Sequence, residues 1–290
     1  MVAAPEGVLV VDKPSGMTSH DVVDAVRRKL KTKKVGHAGT LDPGATGVLV
    51  LGIGRATRLL TFTQAAPKRY RTRARFGITT TTQDASGGVV EERPVSFSKG
   101  DLEATLIRFT GAIEQIPPMV SAVKVGGERL YKKARRGEDV ERAPRPVTIY
   151  ELQAVEVDLD LLEAELDVAC SGGTYIRTLV HDIGQALGCG AHLTALRRTE
   201  AGGFRESDAV ALDELVPTDL KGIDAAVRDL PRVDLDESGA EHVSHGRPVP
   251  APDGLRIDEG AHVAVFADDR LLGVYVRKGE ELIAERVLVA

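Results

Sequence analysis

A mixed α+β domain followed by a small β module is the architecture this sequence predicts, on three observations. Short apolar runs, such as GVLVVDK at 7–13 and GVLVLGI at 47–53, interleave with stretches whose apolar residues recur at helical spacing through residues 1–230. Around Pro231 the pattern shifts to an acidic linker and then to short strands with turns, AHVAVFA, LLGVYV and ELIAERVLV, so residues 231–290 form a module of their own. With 290 residues, of which 42% are hydrophobic, the chain can build both a large and a small core.

The first run is a buried strand ended by the turn Pro14-Ser15-Gly16. Thr18 or Ser19 then caps a helix reaching about Leu30, with Val22, Val23, Val26 and Leu30 on one face. Arg27, Arg28, Lys29 and Lys31 crowd its last turn, where they oppose the negative end of the helix dipole; with Lys33 and Lys34 they equally suit phosphate. A core strand would not hold Asp-Pro-Gly in its middle, so residues 41–46 are a turn displaying one carboxylate, Asp42, among small residues. A strand over 47–53 and a short helix over 55–63 follow. In KRYRTRARFG at 68–77, Tyr70, Thr72, Ala74 and Phe76 point one way and Arg69, Arg71, Arg73 and Arg75 the other. Four arginines on one face require either an anion or acidic neighbours.

Residues 79–88 read as a polar loop and 101–109 as an amphipathic helix. Residues 117–146, bracketed by Pro117-Pro118 and Pro144-Arg145-Pro146, hold Lys124, Arg129, Lys132, Lys133, Arg135, Arg136, Arg142 and Arg145, which suits a basic arm better than a core layer. Two strands follow Val147. The turn at Gly172-Gly173 delivers Tyr175 and Arg177 to the start of a helix carrying Ile176, Leu179, Val180 and Ile183, and residues 192–197 are a further short strand.

Net charge is −5, but it is segregated. Residues 1–75 carry 14 basic against 5 acidic side chains and residues 117–150 carry 8 against 4, whereas residues 151–231 carry 6 against 16. A basic face on an acidic chain suits nucleic acid. Two cysteines build neither a disulfide framework nor a CxxC knuckle, and the scattered histidines offer no zinc site, so no metal is expected. No apolar stretch is long enough to span a membrane and the N-terminus has no signal-peptide pattern, so a cytoplasmic protein is expected.

Five stretches, DKPSGMTS at 12–19, GHAGTLDPGATGVL at 36–49, KRY at 68–70, GTYIRTL at 173–179 and GCGAHLTALRR at 188–198, together resemble the bacterial tRNA pseudouridine synthase B family. The resemblance implies a catalytic domain with a largely antiparallel sheet over 1–230, an RNA-clasping thumb at 117–146 and a PUA-like module at 231–290. It also implies isomerisation of uridine 55 in the tRNA T-loop, without cofactor or guide RNA, by a monomer. Asp42 matches the family's catalytic aspartate, Arg177 the arginine that keeps it ionised, and Tyr70 the tyrosine that packs on the base and takes part in proton transfer. Tyr175 and the backbone at Leu196 match positions lining the uracil pocket, and His37 matches the residue filling the space of the flipped base. One departure is Thr81, where many relatives have an acid; only Asp84 remains in that loop. A non-catalytic tRNA-binding or tRNA-folding protein and a guide-RNA-dependent synthase are the rival readings.

Overall fold

In the computed structural model, which describes residues 4–121, 123–138, 140–252 and 254–288, the strand Gly7–Lys13 is covered on both faces. Val8 and Val10 join a cluster with Ala56, Leu59 and Phe204, whereas Leu9 and Val11 meet Val22, Val23 and Val26 of the helix Ser19–Lys29. The strand Thr46–Ile53 divides in the same way: Val48 and Val50 enter the first cluster, and Leu49, Leu51 and Ile53 the second. Successive strand residues face opposite sides, so a strand covered twice is apolar without alternation.

The chain forms two compact units, one of Met1–Pro43, Val48–Ala66 and Ala201–Ala290, the other of Gly44–Gly47 and Pro67–Glu200. In the first, Gly7–Lys13 lies between Val210–Ala211, parallel to it, and Thr46–Ile53, on which Val35–His37 pairs antiparallel. Arg27 bonds Asp24 at 3.0 Å and the Val35 carbonyl at 3.0 Å, and Lys29 reaches the Asp213 carbonyl, so both cations have protein partners. A five-stranded sheet runs in the order Arg232–Asp234, His262–Ala267, Arg270–Lys278, Glu281–Val287 and Val249–Pro250. One of its faces carries a core of its own with Val233, Val263, Val265 and Leu282, and Ala264, Phe266 and Val274 pack into the cluster of Val8. The expected acidic linker contains a helix, Glu237–Ser244, capped by Asp236 through the Gly239 N–H at 2.8 Å. Only Val243 of it is buried, so no helical apolar period marks it.

In the second unit the strand order is Ala191–Ala201, Lys68–Phe76, Glu163–Cys170, Arg145–Asp158 and Gly111–Gln115. The last four pair antiparallel throughout, and Thr46 and Gly47 lie parallel beside Arg197 and Arg198. The mixed, mainly antiparallel sheet with flanking helices is the α+β class expected. On Lys68–Phe76, residues 68, 70, 72, 74 and 76 are all buried on one face, and the arginines face outward to acids across the ladder. Arg69 bonds Asp167 at 2.5 Å and also Glu151, Arg71 meets Glu165 at 3.4 Å, Arg73 meets Glu165 at 3.9 Å, and Arg75 meets Glu163 at 3.5 Å. Acidic neighbours thus answer the repulsion, each such exposed pair contributing roughly 0–1 kcal/mol.

Several expected boundaries move. The loop at 79–88 is flanked by paired strands, Ile78–Thr80 and Val89–Glu92. The strand read at 192–197 runs over Ala191–Ala201, its polar end half-buried and so lacking an apolar run. The helix read at 55–63 is a 3-10 turn, Gly54–Arg58, followed by Leu60–Ala65. Within 117–146 are a hairpin, Lys124–Val125 with Glu128–Arg129, and a helix, Leu130–Arg135. The side chains of Lys124, Arg129, Lys132 and Arg135 lie outside the described residues. No helix among the described residues is long and apolar enough to cross a membrane.

Candidate active site

Asp42 sits half-buried between two residues whose backbones are fixed by buried side chains. On one side, Ser19, 2% exposed, accepts the Leu41 N–H at 2.8 Å and donates to the Leu41 carbonyl at 3.1 Å. On the other, the Pro43 carbonyl accepts from Gly16 N–H at 2.8 Å and from the Lys13 ammonium at 3.2 Å. Lys13 is fully buried and also donates to the carbonyls of Pro14 at 2.9 Å and Met17 at 2.6 Å. Three carbonyls match the three donors of an ammonium, so the DKPSGMTS turn and the residue after Asp42 share one anchor. The turn opens from Val35–His37, where His37 pairs with Leu51, and it closes into Thr46–Ile53.

The second unit holds the other expected site residues. Tyr70, 7% exposed, lies on the inner face of Lys68–Phe76 opposite Val168. Beside it on that face, burial and the neighbouring Arg198 guanidinium push the Lys68 ammonium down to about 8, partly opposed by Cys170. Leu196, half-buried, is one residue before the parallel pairs Arg197 with Thr46 and Arg198 with Gly47; Asp42 is four residues before Thr46. Tyr175 is the N-cap of the helix Ile176–Ala186 and Arg177 is in its first turn. Tyr70, Tyr175, Arg177 and Leu196 therefore belong to one unit; His37 and Asp42 belong to the other, which the chain leaves at Gly44.

Arg177 is 5% exposed and donates to the carbonyls of Thr82 at 3.0 Å and Val120 at 2.8 Å. Its guanidinium also stands 3.5 Å from the Asp84 carboxylate. Burial pushes that carboxyl up, but hydrogen bonds from Ser86 and Thr82 and the charge of Arg177 together hold it below its ordinary value. An ionised Asp84 thus keeps a buried arginine oriented. Thr81, at the position where an acid is common, is not needed for this pair. Lys13 and Ser19 are functional candidates to which no chemistry pointed in the sequence, because carbonyl partners carry no pattern; only their place in DKPSGMTS marked them. Among the described residues, no three His, Cys, Asp or Glu side chains gather as a metal site requires.

Residues 27–176 match the family model of the TruB family pseudouridylate synthase N-terminal domain, and residues 177–233 that of the tRNA pseudouridylate synthase B C-terminal domain. A tRNA pseudouridine synthase B of Mycobacteroides abscessus is 46% identical over 97% of this chain and 96% of its own. One from Burkholderia lata is 45% identical over 98% of this chain and 90% of its own. Among solved structures, a chain of a Cbf5-Nop10-Gar1 complex superposes with a TM-score of 0.77 at 29% identity, over 98% of this chain and 85% of that one.

Proposed function

This chain belongs to the TruB family of pseudouridylate synthases, and from that membership we propose that it converts uridine 55 in the T-loop of tRNA to pseudouridine. It is a tRNA-modifying isomerase. The reaction breaks the N1–C1′ bond, turns the uracil and joins C5 to C1′; the proton lost from C5 is balanced by the one gained at N1, so no redox partner or energy source enters.

The observation that carries the assignment is Asp42, held between backbone anchors at Leu41 and Pro43 that are themselves buried. A reacting carboxylate benefits from a fixed position, since little ordering is left for the transition state. Asp42 acts at the glycosidic junction and Arg177 keeps it ionised against desolvation. Tyr70 stacks on the base and moves a proton, while Tyr175 and the Leu196 backbone line the uracil pocket. His37 fills the space of the extruded base, offsetting an unstacking cost of a few kcal/mol. Residues 117–146 clasp the T-arm and residues 231–290 form a PUA-like RNA-binding module beside the catalytic domain at 1–230. The enzyme works as a cytoplasmic monomer without guide RNA. Relatives named tRNA pseudouridine synthase B are 45% and 46% identical over nearly the whole chain, against 29% for the chain from the multiprotein complex, which favours a stand-alone enzyme.

The test is to map pseudouridine in unmodified tRNA incubated with the protein alone, beside Asp42→Asn. A single T-loop product from wild type, and none from the variant at unchanged tRNA affinity, is expected. Appreciable turnover by Asp42→Asn, or a need for added guide RNA, would refute the assignment.

A further inference from the structure

We propose that Gln115 is a positioning residue for the isomerisation, fixing Tyr175 at the uracil pocket by bonding both the backbone N–H and the carbonyl of that residue. The inference rests on the function proposed above. Tyr175 has an extended backbone, φ −98° and ψ 105°, and its side chain makes no capping hydrogen bond. The first N–H groups of a helix lack intrahelical acceptors, so this N-cap needs help from outside. Gln115 supplies it: its Oε1 accepts the Tyr175 N–H at 2.9 Å and its Nε2 donates to the Tyr175 carbonyl at 3.2 Å. The same carbonyl accepts the helix bond from the Leu179 N–H at 3.0 Å. With Gln115 only 1% exposed, the amide is withdrawn from water and serves Tyr175 as a neighbouring strand would.

Gln115 ends the strand Gly111–Gln115, where it is registered against Arg145, and it stands two residues before Pro117-Pro118. Two residues beyond Tyr175, Arg177 donates to the Val120 carbonyl at 2.8 Å. The root of the basic segment therefore grips the start of the GTYIR helix twice, at Tyr175 through Gln115 and at Arg177 through Val120. An RNA clasped by that segment and a uracil resting on Tyr175 are referred to one anchor. Loosening it displaces the ring while leaving the clasp's charges in place, so chemistry should suffer and capture should not.

Single-turnover pseudouridine formation and tRNA Kd are measured for wild type, Gln115→Ala, Tyr175→Ala and the double variant. Gln115→Ala should slow the reaction about tenfold to a hundredfold, the kinetic equivalent of two neutral hydrogen bonds. Its Kd should stay within about threefold, and in the Tyr175→Ala background it should cost less than about threefold in rate, because the ring through which it acts is gone. An unchanged rate, equal losses in both backgrounds, or a loss carried wholly by Kd would overturn the inference. Should Gln115→Ala fail to fold, Gln115→Glu retains volume and acceptor but sets an oxygen against the Tyr175 carbonyl, and the same readouts apply. Wild type making no pseudouridine would refute the function and the inference together; active wild type with an unaffected variant would refute the inference alone.

Discussion

Replacing Gly47 by alanine strikes the joint where the chain leaves the Asp42 turn and enters its strand. Gly47 has φ +98°, and a Cβ there would stand 2.2 Å from the Arg198 carbonyl oxygen and 2.9 Å from its nitrogen. Ordinary carbon contacts lie near ~3.5 Å, so the two strands would have to part by about 1 Å. That opens the parallel pairs of Arg197 with Thr46 and Arg198 with Gly47, where Arg198 is 1% exposed. Leaving buried backbone groups unsatisfied costs ~1–3 kcal/mol each, and the left-handed backbone adds about 1–2 kcal/mol for a residue with a Cβ. A total of roughly 3–6 kcal/mol, among the largest single-site effects, is expected. Urea unfolding of Gly47→Ala measures it, with Gly44→Ala as the control. Gly44 lies in the same turn with nothing within 4 Å of its added Cβ, so its alanine should change stability by no more than about 0.5 kcal/mol. Gly47→Ala within about 1 kcal/mol of wild type would refute the steric reasoning.

Burial pushes the Asp182 carboxyl up from 3.8 to about 6, so the folded protein holds this proton more tightly than the unfolded chain and stability falls as pH rises across that window. Asp182→Asn should therefore stabilise at pH 7.5, by about 1 kcal/mol once partial exposure is allowed for, and should give no gain near pH 4; melting curves at both values decide. Arg71 is 55% exposed and faces Glu165 at 3.4 Å, so Arg71→Ala should cost at most about 1 kcal/mol and leave tRNA affinity within about twofold. A tenfold rise in Kd would instead make that face an RNA contact.

What the sequence discloses depends on how far apart the partners lie. The alternation of Tyr70 and Arg71 fixes two faces from nine consecutive residues, and the structure keeps them so. The acids opposite the arginines come from 151–167, and only the antiparallel register selects them. The Asp42 turn was legible from Pro43 and its glycines, but its anchors, Lys13 and Ser19, bond to carbonyls and an amide that any residue would present. Gln115 was invisible for the same reason. Glu237–Ser244 escaped because a surface helix with one buried residue has no period to read.

The division of the chain into discontinuous segments sets an order of events during synthesis. The strand at Gly7–Lys13 takes its partners from Val210–Ala211 and, through reciprocal hydrogen bonds of 3.0 and 2.8 Å between Val8 and Lys221, from still later chain. Residues 67–200, nearly a whole unit, emerge in between. At roughly 5–20 residues per second on the ribosome, that interval lasts about seven to twenty-seven seconds. Throughout it Val8 to Val11, fully buried in the finished protein, have no partner strand from the C-terminal third and present an apolar edge to chaperones and to other nascent chains. A strand made before residues 67–200 is completed only after them.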